Sequence, residues 1–184
     1  MIYPIVAYGH PVLKKRAEDI DKDYPNLAEF IADMYETMYA SSGVGLAAPQ
    51  VGKSIRLFII DGKPFEEEEV KDFKRVFINP VIKEETGEPW KFNEGCLSIP
   101  GIREDVARKE QLYIEYYDEQ WNFKKETYSG LAARIIQHEY DHIEGILFVE
   151  KISPLRKRLI KGKLLDISKG IVDVDYKMKF HHKK

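Results

Sequence analysis

Three stretches of the chain carry apolar residues at the spacing of an amphipathic helix. In residues 26–40 the apolar positions recur at i, i+3, i+4 and i+7. Asn26 is the candidate N-cap of this first helix, and Ser129 is the candidate N-cap of a second over residues 129–143. The pair Ser153-Pro154 opens a third helix over about residues 154–168, because proline is favoured in a first turn.

Runs with a period of two predict strands between and after these helices. Residues 55–61 and 75–79 are short apolar runs that end in Asp-Gly and Asn-Pro, and residues 111–118 and 121–128 alternate around a hairpin-sized connection. Residues 171–180 alternate as well and predict a final strand. The small residues of 43–52 indicate a loop that lets backbone approach another group closely.

Composition narrows the class of protein. The chain has 184 residues, 43% of them hydrophobic, and a formal net charge of -2, which gives no drive toward DNA or an anionic membrane. It has no apolar run of about 18 residues and no basic and apolar leader at its start. We therefore expect a cytoplasmic protein that binds neither DNA nor a membrane.

The segment His138-Glu139-Tyr140-Asp141-His142 carries the first chemical signal. Residues i and i+4 of a helix share a face, so both imidazoles can point at one metal ion, and Glu139 lies close enough to reach a water bound to it. The alternative is two helix histidines that face the core. Asp141 could orient a ligand histidine or bond a nearby basic residue instead.

A catalytic metal site of this type needs three protein ligands and one open position. Downstream of His142 there is no third histidine, and Glu144 is too close in sequence to join comfortably. Cys96, the single cysteine of the sequence, is the obvious remaining candidate, although a lone thiol can also be a small buried hydrophobe or a nucleophile. A His2Cys site with a water in its fourth position follows.

Three segments together resemble peptide deformylase. They are Gly43-Val44-Gly45-Leu46-Ala47-Ala48-Pro49-Gln50, then Glu94-Gly95-Cys96-Leu97-Ser98, then Gln137-His138-Glu139-Tyr140-Asp141-His142, in the family's order and separation. The resemblance covers about residues 2–165. It implies an α+β fold with antiparallel sheets packed around a central metal-binding helix, then a C-terminal helix. We expect a catalytic domain over residues 1–168 and an extension over 169–184, with an extra strand and a frayed tail.

The resemblance also implies the activity, which is removal of the formyl group from the N-terminal formylmethionine of new polypeptides. The metal ligands would be Cys96, His138 and His142, and Glu139 would be the general base and acid. Gln50 and the backbone N–H of Leu97 would form the oxyanion site. The residues implied in substrate binding are Val44, Gly45, Phe92, Gly95, Leu131, Arg134 and Ile135. The two glycines would lend backbone to the substrate, and the alternative for the other five is plain core packing.

The implied cofactor is one divalent metal per chain: Fe²⁺ in the cell, with Zn²⁺ or Ni²⁺ able to fill the site in a purified sample. The implied partners are formyl-Met N-termini and the ribosome, through the basic C-terminal helix, although such a helix face is usually only solvated. Glu94 and Arg103 could pair to brace the Cys96 loop or form a weak surface pair. Two other functions compete: a metallopeptidase, and a metal module without catalysis.

Overall fold

A computed structural model describes residues 1–181 of the chain. It contains seven strands and three α-helices, joined by turns of 3₁₀-helix. In chain order the elements are β1 (Ile5–Val6), α1 (Leu27–Ala40), β2 (Gly45–Ala47), β3 (Leu57–Asp61), β4 (Lys74–Cys96), β5 (Ile99–Tyr117), β6 (Phe123–Ser129), α2 (Gly130–Ile143), α3 (Pro154–Ser168) and β7 (Met178–Lys179). The α+β fold is confirmed.

The main sheet is antiparallel and follows the order β2-β3-β4-β5-β6, so each strand pairs with its neighbour in sequence. Strand β4 does not end at Asn-Pro as the sequence predicted. Asn79 adopts a left-handed conformation (φ 49°), and a register shift between Ile78 and Val81 carries the strand past Pro80. The bulge therefore absorbs the proline that the sequence pattern interprets as a strand end.

Helix α2 begins at the end of β6 and packs on the sheet. Its apolar residues Ala133, Ile135 and Ile136 are buried against strand residues such as Phe58 and Phe77. The Ser129 side chain forms no capping bond. Instead, a Glu69 carboxylate oxygen accepts a 2.6 Å hydrogen bond from Leu131 N, so a neighbouring loop supplies the negative charge that a helix N-terminus favours.

The first helix and the glycine-rich segment after it differ in detail from the predictions. Helix α1 starts at Leu27, but Asn26 is left-handed and forms no side-chain cap. Residues 43–52 are not wholly a loop, because Gly45–Ala47 form strand β2 and Ala48–Val51 form a 3₁₀ turn. Strand β2 is the edge of the main sheet, paired with β3.

In the described C-terminal region the predicted helix is present, but the predicted strand is mostly replaced by irregular chain. Helix α3 starts at Pro154, where the Ser153 hydroxyl accepts a bond from Arg156 N. Of residues 171–180, only Met178–Lys179 form a strand, and they pair in parallel with β1. The predicted frayed tail lies outside the described residues except for His181, whose ring lies 5.1 Å from that of His10. No helix within residues 1–181 has the length and apolar character needed to cross a membrane.

Candidate metal centre

Cys96, His138 and His142 meet where the β4–β5 hairpin turns over helix α2. The ligand atoms of the three residues lie within 4.8 Å of one another, and Cys96 Sγ lies 3.4 Å from His142 Nε2. That separation suits two ligands of a tetrahedral metal, whose ligand atoms stand about 3.5 Å apart for typical metal–sulfur and metal–nitrogen bonds. The three side chains thus fit a single metal ion.

The surroundings of the two histidines set their orientation and their charge. His138 Nδ1 donates a 2.8 Å hydrogen bond to Glu94 Oε1, which orients the ring. Burial by itself would lower the pKa of His138, but the bonds to Cys96 and Glu94 outweigh it and raise that pKa to about 10. Burial and the nearby charge of His138 hold the pKa of His142 well below its usual range, so the His142 ring is neutral. His142 is 1% exposed. A buried carboxylate that orients a ligand histidine is the usual support of such a site.

Glu94 is the centre of a buried ion network. Its carboxylate accepts bonds from Arg108 Nε (2.8 Å) and Nη2 (3.0 Å) and from Arg134 Nη1 (2.8 Å). Burial by itself would raise the pKa of Glu94, but the bonds from His138 and Arg108 outweigh it and hold that pKa well below its usual range. Glu94 therefore stays ionised and can hold His138 in place.

The ion network decides two questions that the sequence left open: whether Glu94 pairs with Arg103, and what Asp141 binds. The Glu94–Arg103 pair is wrong, because Arg103 donates to Asn93 Oδ1 (2.8 Å) and Glu94 points to the opposite side. Asp141 does not orient a ligand histidine; it accepts a 2.7 Å bond from Arg108 Nη1. The residue that orients the histidine is Glu94, whose place within the Glu94–Ser98 motif was the only sequence signal for it.

Glu139 follows His138 on helix α2 and is 4% exposed. Burial raises its pKa to about 7, with the charge of His138 opposing the rise and that of Glu94 adding to it. Its Oε2 forms no hydrogen bond within the described residues, so one oxygen is free for an incoming group. A Cβ atom at Gly45 would come 2.7 Å from the other oxygen, Oε1. The glycine in β2 is therefore what makes room for this carboxylate.

Gln50 reaches the same point from the 3₁₀ turn after β2. Its Oε1 accepts a bond from Ala47 N (3.0 Å), which directs Nε2 toward Cys96 Sγ (3.4 Å) and Ser98 Oγ (3.2 Å). Leu97 follows Cys96 in the turn of the β4–β5 hairpin. An amide N–H from Gln50 and the backbone of Leu97 thus both lie next to Cys96.

A cavity of about 930 Å³ opens onto the centre. Most residues predicted to bind substrate line it: Val44, Gly45, Phe92, Gly95, Arg134 and Ile135. Leu131 does not; it packs against the core cluster beneath α2. Other lining residues were not predicted from the sequence, among them Pro64-Phe65, residues 99–103 and residues 173–176 of the C-terminal segment. None of these lies within the three motifs; Pro64-Phe65 belong to a 3₁₀ turn, and residues 173–176 lie in an irregular segment.

Sequence and structure comparisons agree on one family. The sequence model for polypeptide deformylase matches residues 2–158. The chain belongs to the polypeptide deformylase family. It is 61% identical to the peptide deformylase of Christiangramia forsetii, over 100% of this chain and 98% of the relative, and 55% identical to that of Cytophaga hutchinsonii over the full length of both.

A crystal structure of a peptide deformylase from Legionella pneumophila superimposes with a TM-score of 0.80 at 37% identity, covering 92% of this chain and 96% of the other. Members of the deformylase family are metal-dependent hydrolases that remove the N-terminal formyl group from nascent polypeptides. Cys96, His138 and His142 form a group that could hold the metal ion on which this family depends.

Proposed function

We propose that Cys96, His138 and His142 hold the metal and that Glu139 moves the proton when the formyl group of N-terminal formylmethionine is hydrolysed. The observation that carries this assignment is the convergence of the three ligand atoms within 4.8 Å, next to a buried carboxylate with one free oxygen. A divalent metal at this site would lower the pKa of a water ligand and polarise the formyl carbonyl.

Proton transfer and stabilisation of the oxyanion fall to Glu139, Gln50 and Leu97. Glu139 accepts the proton of the attacking water at a carboxylate oxygen and then donates it to the leaving amine nitrogen, so that formate and a free N-terminus result. Gln50 Nε2 and Leu97 N–H donate hydrogen bonds to the oxyanion that forms on the former carbonyl oxygen. The pKa of Glu139, raised to about 7, suits a group that must both accept and return a proton near neutral pH.

The substrate chain lies in the 930 Å³ cavity, with the methionine side chain against Val44, Phe92 and Ile135. Gly45 and Gly95 face this cavity, and neither has a side chain to keep a peptide backbone away. Leu131 does not line the cavity; it belongs to the apolar packing that holds helix α2 in place. Residues 1–168 supply the metal ligands and the proton-transfer residue, and residues 169–184 are an extension.

One divalent metal fits the donor set, and we assign Fe²⁺ to the protein in the cell. Thiolate and imidazole ligands also bind Zn²⁺ and Ni²⁺, which can replace iron in a purified sample. The protein acts in the cytoplasm on nascent chains. Helix α3, with exposed Lys157, Arg158 and Lys161, is the surface that faces the ribosome, since basic side chains attract a phosphate backbone.

The test compares three substrates of similar length: formyl-Met-Ala-Ser, acetyl-Met-Ala-Ser and a peptide with a free N-terminus and only internal bonds. We expect efficient release of formate from the first and little reaction of the other two. Formate release and new amine groups are measured separately. Efficient cleavage of internal bonds would identify a metallopeptidase instead and overturn the proposal.

A further inference from the structure

The turn that follows Cys96 has two residues, Leu97 and Ser98, because Cys96 pairs directly with Ile99. The carbonyl groups of such a turn lie beyond the last pair of the hairpin, and buried backbone groups are costly when they lack partners. Ser98 O accepts a 2.9 Å bond from Tyr8 N. Leu97 O accepts a 2.7 Å bond from the hydroxyl of Tyr176. The turn is therefore held from outside by the two ends of the described chain.

Tyr176 is itself fixed on both sides. Its ring is half-buried and packs against the core cluster of helix α1. The backbone just after it is tied to strand β1, since Ile5 N donates to Lys177 O at 2.8 Å and Ala7 N donates to Lys179 O at 2.9 Å. Burial, with the negative charges of Cys96 and Asp175, raises the pKa of Tyr176 to about 12, so the hydroxyl remains a donor at neutral pH.

We propose that Tyr176 is a positioning residue for deformylation, which fixes the Leu97-Ser98 turn so that Leu97 N–H and Gln50 Nε2 face the same oxygen. The inference rests on the proposed oxyanion role of Leu97. The N–H and C=O of Leu97 flank one Cα, so a bond that anchors the carbonyl restricts the rotation of both adjoining peptide planes. Donors that are preorganised in this way are effective because they need not reorient as charge develops.

Through the hydrogen bond from Tyr176 to Leu97, the C-terminal extension acts on the active site. Residues 173–176 also line the substrate cavity, so the segment could act merely as a wall. The two roles differ in what they change. A wall alters the binding of substrate residues beyond methionine, and hence KM for longer peptides. A positioning contact acts on the transition state, and hence on kcat for every formylated substrate.

The test is Tyr176→Phe, which removes the hydroxyl and keeps the ring. The matched control is Tyr113→Phe, since the Tyr113 hydroxyl also forms one hydrogen bond, to Glu115 on the surface of β5 and outside the cavity. Values of kcat and KM are measured for formyl-Met-Ala-Ser and for the shorter formyl-Met amide, normalised to bound metal. Thermal unfolding of each variant is recorded alongside, so that partial unfolding is not mistaken for lost turnover.

We expect Tyr176→Phe to lower kcat on both substrates by about tenfold, less than the roughly 10²–10³-fold loss typical when an oxyanion donor itself is removed. KM should change little, and Tyr113→Phe should match the wild type. Tyr176→Ala should lose the same factor in kcat and also raise KM for the tripeptide. An unchanged kcat in Tyr176→Phe, or a change confined to the tripeptide's KM, would overturn the positioning role. Failure of the wild type to prefer the formyl peptide would instead overturn the proposed function.

Discussion

At the scale of single residues, the centre depends on the different charge states of two buried glutamates, Glu94 and Glu139. Glu94 is surrounded by Arg108, Arg134 and His138, which keep it ionised. Glu139 is as deeply buried but has no cation bonded to it among the described residues, so its pKa rises to about 7. One carboxylate is a fixed anchor, and the other can exchange a proton near neutral pH.

Replacement of Glu139 tests that division. Glu139→Gln keeps the shape of the side chain but cannot accept a proton, so we expect kcat to fall by roughly 10²–10⁴-fold, the usual contribution of a general base. Metal content should stay at one per chain, because the amide does not replace a ligand. Kinetics and elemental analysis on the same sample provide both numbers.

Glu84→Gln is the control for that substitution, because Glu84 is exposed on β4 and does not line the cavity. It should retain wild-type turnover. Turnover of Glu139→Gln at the wild-type rate would remove Glu139 from the proton transfer.

The sequence predicts the residues whose spacing has a direct geometric meaning. His138 and His142 are one helical turn apart, and Glu139 is adjacent, so the helix alone brings them together. Cys96 follows from the need for a third ligand. Tyr176 could not be predicted in the same way, because its bond to Leu97 joins residues 79 positions apart and leaves no local pattern.

At the scale of elements, helix α2 and the β4–β5 hairpin are joined by the ion network of Glu94. Glu94 and Arg108 lie on the two strands of the hairpin, and Arg134 and His138 lie on the helix. Glu94 is 4% exposed, as is the side chain of Arg108. A buried pair contributes little when compared with an apolar replacement, but the loss of one partner leaves the others charged and unpaired.

Glu94→Gln should therefore lower the free energy of unfolding at pH 7 by about 3–5 kcal/mol. The difference from wild type should depend on pH in one direction. Because the pKa of Glu94 is lower in the folded protein than its ordinary 4.5, its contribution is complete above that value. As the pH falls below about 4.5 and toward the folded-state pKa, the contribution is lost and the two proteins converge.

Urea unfolding between pH 3 and pH 8 measures this difference. Glu110→Gln, an exposed position on β5, serves as the control and should follow the wild type at every pH. A Glu94→Gln variant as stable as wild type at pH 7 would show that the network contributes nothing.

Some elements were predicted with the correct bounds and others were not, and the physical reasons differ. Helix α3 matched because a capping serine and a proline mark its start. Strand β4 was cut short in the prediction, because proline usually ends a strand and the bulge that admits it depends on tertiary pairing. Residues 171–180 alternate in exposure, but most have no strand partner beside them. Alternation of side chains shows which face is buried and does not guarantee a ladder of hydrogen bonds.

At the scale of the whole molecule, the ligands join distant parts of the chain, since Cys96 and His142 are 46 positions apart. A metal that binds the folded chain and not the unfolded one adds stability by mass action. At a free metal concentration 100 times the dissociation constant the gain is about 2.7 kcal/mol. For a chain of this size that corresponds to a rise in Tm of about 5–10 °C.

Calorimetry of the metal-loaded protein with and without a chelator, under anaerobic conditions, measures this rise. In Cys96→Ser the difference should shrink, because one ligand is lost while the fold is otherwise preserved. Equal Tm values for the loaded and chelated wild-type protein would contradict the three-ligand assignment.

The parallel pairing of β1 with β7 has a consequence for the order in which the chain can be completed during synthesis. Every pairing in the main sheet joins strands adjacent in sequence, so the sheet can form progressively as the polypeptide emerges. Residues 5 and 6 lie ahead of the main sheet in the sequence, yet their partners are residues 178 and 179. Until those partners emerge, β1 cannot pair with β7 and Tyr176 cannot reach Leu97. We therefore expect the contact between Tyr176 and Leu97 to form after the main sheet.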